Sequence, residues 1–219
     1  LFGYKLAEET RRRFYLILWN SYKFFTDYAN TAGWDCKEMP EDVREKFTVL
    51  DRWVLARLTE VVLKVNESLD NFDSATASTA IEEFIVTDLS TWYIRRCRGR
   101  AGAGAEKEDE KVFLSVMYGV LVTLTKIMAP ITPFISEEIF RNLTGEESVH
   151  LQEYPRGDKS LLDSELVKQM SVVREVVSLG HAERKEVNIP VRQPLGMLKV
   201  KIQNAKVGDE LLQLIKDEL

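Results

Sequence analysis

From Trp53 to Leu69 the apolar side chains Trp53, Leu55, Leu58, Val61, Val62, Val65 and Leu69 recur at helical spacing. Such a stripe forms an amphipathic helix that has to bury one face. The same period runs through most of the chain. A first helix is expected over residues 5–32, with Leu6, Phe14, Ile17, Leu18, Tyr22, Phe25 and Tyr28 inward and Gly33 as its stop. It carries too many aromatic rings for one buried stripe, so some of them must reach the surface or another domain. Thr48 followed by Asp51 resembles a capping box at the start of the second helix. After the turn at 70–73, Asp73 or Ser74 caps a third helix, with Ala80, Ile81, Phe84, Ile85, Leu89, Trp92 and Tyr93 inward. A fourth helix spans about 108–129. Pro133 suits the first residue of a fifth, which ends near Leu143 before Gly145. Residues 146–155 read as extended, 163–185 as a further helix, 195–202 as a strand from their alternation, and 209–219 as a helix.

The fold class is therefore mainly α: an up-and-down helical bundle followed by a small, truncated α/β tail. Three regions are expected: a bundle over residues 1–155, a linking helix over 156–190, and the start of a C-terminal α/β subdomain over 191–219. Neither the N-terminal segment nor any apolar run suits a signal or a membrane span. The longest run, Val112 to Met128, is interrupted by Ser115, Gly119, Thr123, Thr125 and Lys126. The chain opens on Leu1 and reads as a piece of a longer soluble protein.

Little in the sequence points to catalysis or metal. The two cysteines, Cys36 and Cys97, are far apart, and they match neither a disulfide framework nor a zinc pair. His150 and His181, the two histidines, lack metal-ligand spacing. Glu137-Glu138 could suggest acid–base work, but acids beside a helix start are the simpler account. Gly102 and Gly104 lie in a Gly/Ala stretch after a helix, so they read as a flexible loop and not a phosphate cradle.

Net charge is −5, which does not advertise a nucleic-acid partner. Local distribution decides phosphate binding, and arginine is clustered at Arg11-Arg12-Arg13 and at Arg95, Arg96, Arg98 and Arg100. On a straight helix Asp88, Trp92, Arg95 and Arg98 share one face. A guanidinium there can take phosphate in a planar, bidentate way, and an indole can stack on an unpaired base. The same pattern also suits a core tryptophan flanked by interhelical ion pairs, and the residues alone leave both readings open. Asn20 and Lys23, beside Trp19 and Phe24, form a second such group and are equally open.

Five stretches together resemble a known family. Leu18-Trp19-Asn20-Ser21-Tyr22-Lys23-Phe24, residues 50–58 (LDRWVLARL) and residues 128–139 (MAPITPFISEEI) are similar to segments of the class I aminoacyl-tRNA synthetases for Ile, Val and Leu. Residues 88–98 (DLSTWYIRRCR) and Val191-Arg192-Gln193-Pro194-Leu195, with Arg184 upstream, resemble the isoleucyl members, where valyl and leucyl enzymes diverge. Residues 99–110 depart from the family's shorter linker. The resemblance implies an anticodon-binding helical bundle beside the catalytic domain of the same polypeptide, with isoleucine tRNA as partner. It places Asn20, Lys23, Trp92, Arg95, Arg96 and Arg98 near the anticodon. It implies a cytoplasmic, monomeric parent enzyme that uses ATP and Mg. The His-x-Gly-His and Lys-Met-Ser-Lys-Ser catalytic motifs are absent from the sequence, so a non-catalytic piece without its own cofactor is expected. The alternatives are a valyl or leucyl domain, a helical protein-interaction scaffold with no RNA role, and, more distantly, a metal enzyme.

Overall fold

The structure is a computed structural model that describes residues 3–35, 43–201 and 207–219. Cys36, Pro40 in the first loop and Ile202 lie outside the described residues. Seven helices carry the fold among them, and no strand occurs there. Tyr4–Thr10, Arg11–Tyr15 and Leu16–Ala32 run on as one helix, α1, with a wider i→i+5 turn at Arg11–Tyr15. Gly33 closes α1 in the left-handed region at φ 64°, and Trp34 N–H reaches back to the Ala29 carbonyl at 2.9 Å.

Helix α2 is Val49–Asp70, and its capping box forms: Thr48 N–H donates to Asp51 Oδ2 at 2.9 Å while Asp51 N–H donates to Thr48 Oγ1 at 3.3 Å. Asp73 caps α3, which runs from Ser74 through Cys97. The short turn between α2 and α3 lets them pack as an antiparallel pair: Asp51, early in α2, meets Tyr93 late in α3, and Arg57 meets Asp88. Helix α4 is Lys107–Met128, capped by Glu106, and α5 is Pro133–Thr144, with proline at its first position. Ring contacts Phe24–Phe113 and Phe25–Tyr118 bind α1 to α4.

The core of this first compact unit, which ends at Leu162, is made by Trp53, Phe84, Tyr93, Phe113 and Phe140, all fully buried. Truncating any of these large side chains to alanine costs about 3–5 kcal/mol in a core that cannot collapse. Helix α4 is long and apolar enough to cross a membrane by length and composition alone. Here it is the central core helix, with Phe113, Leu114, Met117, Val120, Leu124 and Ile127 at 0% exposure. Residues 156–162 belong with the bundle. Gly157 packs on Leu63, and Asp158 pairs with Arg44 at 3.4 Å.

The second compact unit, Asp163–Leu219, holds α6 (Ser164–Glu186) and α7 (Asp209–Glu218). Met170, Val173 and Val177 of α6 and Leu211, Leu214 and Ile215 of α7 supply its buried side chains. Buried Arg184 donates to the carbonyls of Pro190, Gln193 and Leu219, which ties residues 190–193 to the end of α6. The β element expected from the alternation at 195–202 does not form among the described residues. A strand's backbone groups need a partner strand, and a lone alternating segment has none to pair with.

Candidate nucleic-acid interface

Helix α3 departs from a regular α-helix over Phe84–Ile94, where it takes the wide i→i+5 form. Thr91 Oγ1 follows the same register and donates to the carbonyl of Val86, five residues back, at 2.6 Å. Buried positions Phe84, Asp88 and Trp92 step by four residues, as do Ile85, Leu89, Tyr93 and Cys97. A straight helix would have put Asp88, Trp92, Arg95 and Arg98 on one face. The wide turns change that period. Asp88 and Trp92 are 3% and 6% exposed, whereas Arg95 and Arg98 stand on the surface.

Arg95 lies with its guanidinium 5.7 Å from the centroid of the Trp92 ring, and its Nε donates to the Thr91 carbonyl at 3.0 Å. Trp92 is thus the platform beneath an arginine and not an open stacking surface. Arg98 lies 5.8 Å from the Phe24 ring of α1, and Arg96 is half-buried. Arg13 of α1 pairs with Glu82 of α3 at 2.8 Å. Two cross-links, 13 to 82 and 24 to 98, show that α1 and α3 run side by side in one direction. Asn20 and Lys23 are on the exposed side of α1, and Lys23 pairs with Asp27 at 2.6 Å. The structure therefore brings both groups singled out by spacing onto adjacent helices.

Arg100, grouped by sequence with the other arginines, turns inward. Its Nη1 donates to Asp51 Oδ1 at 2.7 Å, and its Nη2 donates to Asp109 Oδ1 at 2.7 Å. Tyr93 OH donates to the same Asp51 oxygen at 2.5 Å. Asp51 is fully buried, so this brace joins α2, α3 and α4 under the exposed arginines. Burial by itself would lower the Arg100 pKa, but the hydrogen bonds it donates to Asp109 and Asp51 outweigh it and raise the value. Burial, followed by the Asp51 charge, pushes the Tyr93 hydroxyl well above its ordinary range. Burial pushes the Cys97 thiol up to about 12. Only the Thr48–Asp51 capping spacing hints at this network in the sequence; its partners forty and fifty residues away leave no local signal.

The loop at 99–105, expected to be flexible, is anchored. Gly102 N–H donates to Glu110 Oε1 at 2.9 Å, at φ 96°, and a Cβ there would come within 2.7 Å of Tyr28. Arg11 and Arg12 both pair with Glu8, at 2.7 and 2.6 Å. Glu137 accepts from Val149 N–H at 2.9 Å and Ser148 Oγ at 3.0 Å, so it pins a loop. His150 is exposed, and His181 lies 3.8 Å from Glu218.

The family model described as the anticodon-binding domain of tRNA ligase matches residues 51–202. The chain belongs to the family of anticodon-binding domains of tRNA ligases. Among curated relatives, the isoleucine–tRNA ligase of Dehalococcoides mccartyi is 38% identical over 100% of this chain and 22% of its own length. The enzyme of the same name from Thermus thermophilus is 39% identical over 91% of the chain and 20% of its own length. That from Porphyromonas gingivalis is 39% identical over 89% and 17%. The anticodon-binding chain thus spans about a fifth of the length of these relatives. The family match starts within α2 and takes in all of α3, while α1, with Asn20 and Lys23, falls inside the match to the D. mccartyi enzyme.

Proposed function

We propose that this chain grips the anticodon stem-loop of isoleucine tRNA as the non-catalytic anticodon-binding part of an isoleucine–tRNA ligase. The observation that carries the reading is the pairing of two parallel helices, one presenting Asn20 and Lys23, the other Arg95 with Arg98 one residue past its end. Guanidinium groups resting on rings are held for bidentate phosphate contact, and an amide beside them suits a base edge. Arg96 contributes from the same turn, and Trp92 supports Arg95. ATP and Mg serve the catalytic part of a cytoplasmic, monomeric parent enzyme, in which this bundle positions the tRNA so that its distant acceptor end reaches the reaction centre. Residues 191–219 open a C-terminal subdomain in that enzyme.

The test is fluorescence anisotropy of the chain with an isoleucine-tRNA transcript at several salt concentrations, beside an anticodon-substituted transcript. Binding that weakens steeply with salt and drops about tenfold or more in the Arg95→Ala, Arg98→Ala double variant is expected. Binding insensitive to salt, or equal in the double variant, would refute the reading and leave a protein-interaction scaffold.

A further inference from the structure

The wide segment Phe84–Ile94 is a run of 11 residues in a form that seldom exceeds a single turn. Its contacts with α2 explain why it persists. Asp88 is reached by Arg57 of α2, with Nε and Nη2 both at 3.0 Å from Oδ2. Tyr93, fully buried, reaches Asp51 of the same helix. Asp88 and Tyr93 are five residues apart. In an α-helix, turning about 100° per residue, side chains five apart point about 140° away from each other. In the wider i→i+5 form they fall much nearer one side of the helix, and here both address α2. Helix α2 therefore engages the wide register selectively.

That register has a consequence downstream. A slip of one residue turns everything after it by about 100°. Arg95 and Arg98 begin one residue and four residues after the segment ends, and their present orientation lays Arg98 over Phe24, the neighbour of Lys23. We propose that Arg57, Asp88 and Tyr93 are positioning residues for RNA: by holding 84–94 in the wide register against α2, they aim Arg95 and Arg98 alongside the exposed stripe of α1. The inference rests on the reading that α1 and α3 contact tRNA.

The experiment compares Asp88→Asn, Tyr93→Phe, Arg57→Lys and Arg57→Met in the full chain, with Arg95→Ala, Arg98→Ala as the control for the tRNA reading. Each is assayed for binding to the isoleucine-tRNA transcript across a salt series, at a temperature where thermal melting shows the variant folded. Asp88→Asn and Tyr93→Phe are expected to bind about tenfold more weakly. Their plots of log affinity against log salt should be shallower by about 0.9 for each phosphate that the misaimed arginines no longer neutralise. Arg57→Lys, which keeps the cation, should lie closer to the parent chain than Arg57→Met. A merely structural role would lower the melting temperature and leave affinity and salt slope of the folded protein unchanged. If folded Asp88→Asn and Tyr93→Phe bind as the parent does while the Arg95/Arg98 control is weakened, the positioning role is overturned and the tRNA reading stands. If the control also binds as the parent does, both fall.

Discussion

Replacing Arg100 with alanine removes one side of a buried ion pair and should destabilise the bundle strongly. Arg100 meets two carboxylates. The Asp109 side chain is 37% exposed, so its contacts are screened and contribute little. The Asp51 side chain is at 0% exposure, and the cation that reaches it is Arg100, whose side chain is itself 14% exposed. Asp51 would keep Tyr93 OH, Thr48 N–H and Thr48 Oγ1 as donors. Stranding a buried charge typically costs about 3–5 kcal/mol, and the three surviving hydrogen bonds place this case near ~3 kcal/mol. The guanidinium also lies 5.5 Å from the Phe113 ring, a packing arrangement that alanine cannot make. For a chain of this size a loss of ~3 kcal/mol corresponds to roughly 6–12 °C in melting temperature. Urea unfolding followed by far-ultraviolet circular dichroism at pH 7 measures it. In a cycle with Asp51→Asn, the double variant should lose less than the sum of the singles, with a coupling of about 1–2 kcal/mol. A loss below ~1 kcal/mol at unchanged denaturant slope would refute the argument, because it would show Asp51 satisfied without its cation.

Two further outcomes follow from the same region. The Gly102 N–H, and then Lys107, hold the Glu110 carboxyl below its ordinary value even though burial opposes them. A depressed folded-state pKa gives stability that is present above the unfolded value of ~4.3 and is lost as pH falls through the folded value. Acid titration of unfolding should therefore show the parent chain losing more stability than Glu110→Gln below about pH 4, and equal acid sensitivity would exclude the Gly102 contact. Cys97 is 1% exposed with its thiol raised to about 12. In a Cys36→Ser background it should resist a disulfide-exchange reagent at pH 8 until denaturant is added, and stoichiometric labelling of the folded chain would contradict the packing around it.

The bundle is legible in the sequence because helix signals are local. Thr48 with Asp51, Asp73 before α3, Pro133 at the start of α5, and Gly33 and Gly145 at helix ends each act within one turn of their own position. What stays hidden depends on partners distant in sequence. The spacing of Asp88, Trp92, Arg95 and Arg98 predicts a shared face only for a period of 3.6, and the wide turns break that period. Nothing local distinguishes such a turn in advance, since its support comes from Arg57 and Asp51 on another helix. Arg100 resembles its neighbours in the sequence for the same reason: its direction is decided by Asp51 and Asp109, not by the residues beside it. The strand expected at 195–202 does not form among the described residues, because alternation states which side chains share a face and cannot supply a partner.

The distribution of charge resolves how an acidic chain can offer a cationic surface. Of the two arginine clusters, the first is countered where it stands: Arg11 and Arg12 share Glu8, and Arg13 is taken by Glu82. In the second, Arg100 is drawn inward and its charge is spent on the brace. Arg95 and Arg98 stand on the surface, each seated on a ring whose face attracts a cation. A net charge of −5 then opposes RNA only at long range, where salt screens it. On the proposed reading, contact within a few ångströms falls to Arg95, Arg98 and the neighbouring stripe of α1.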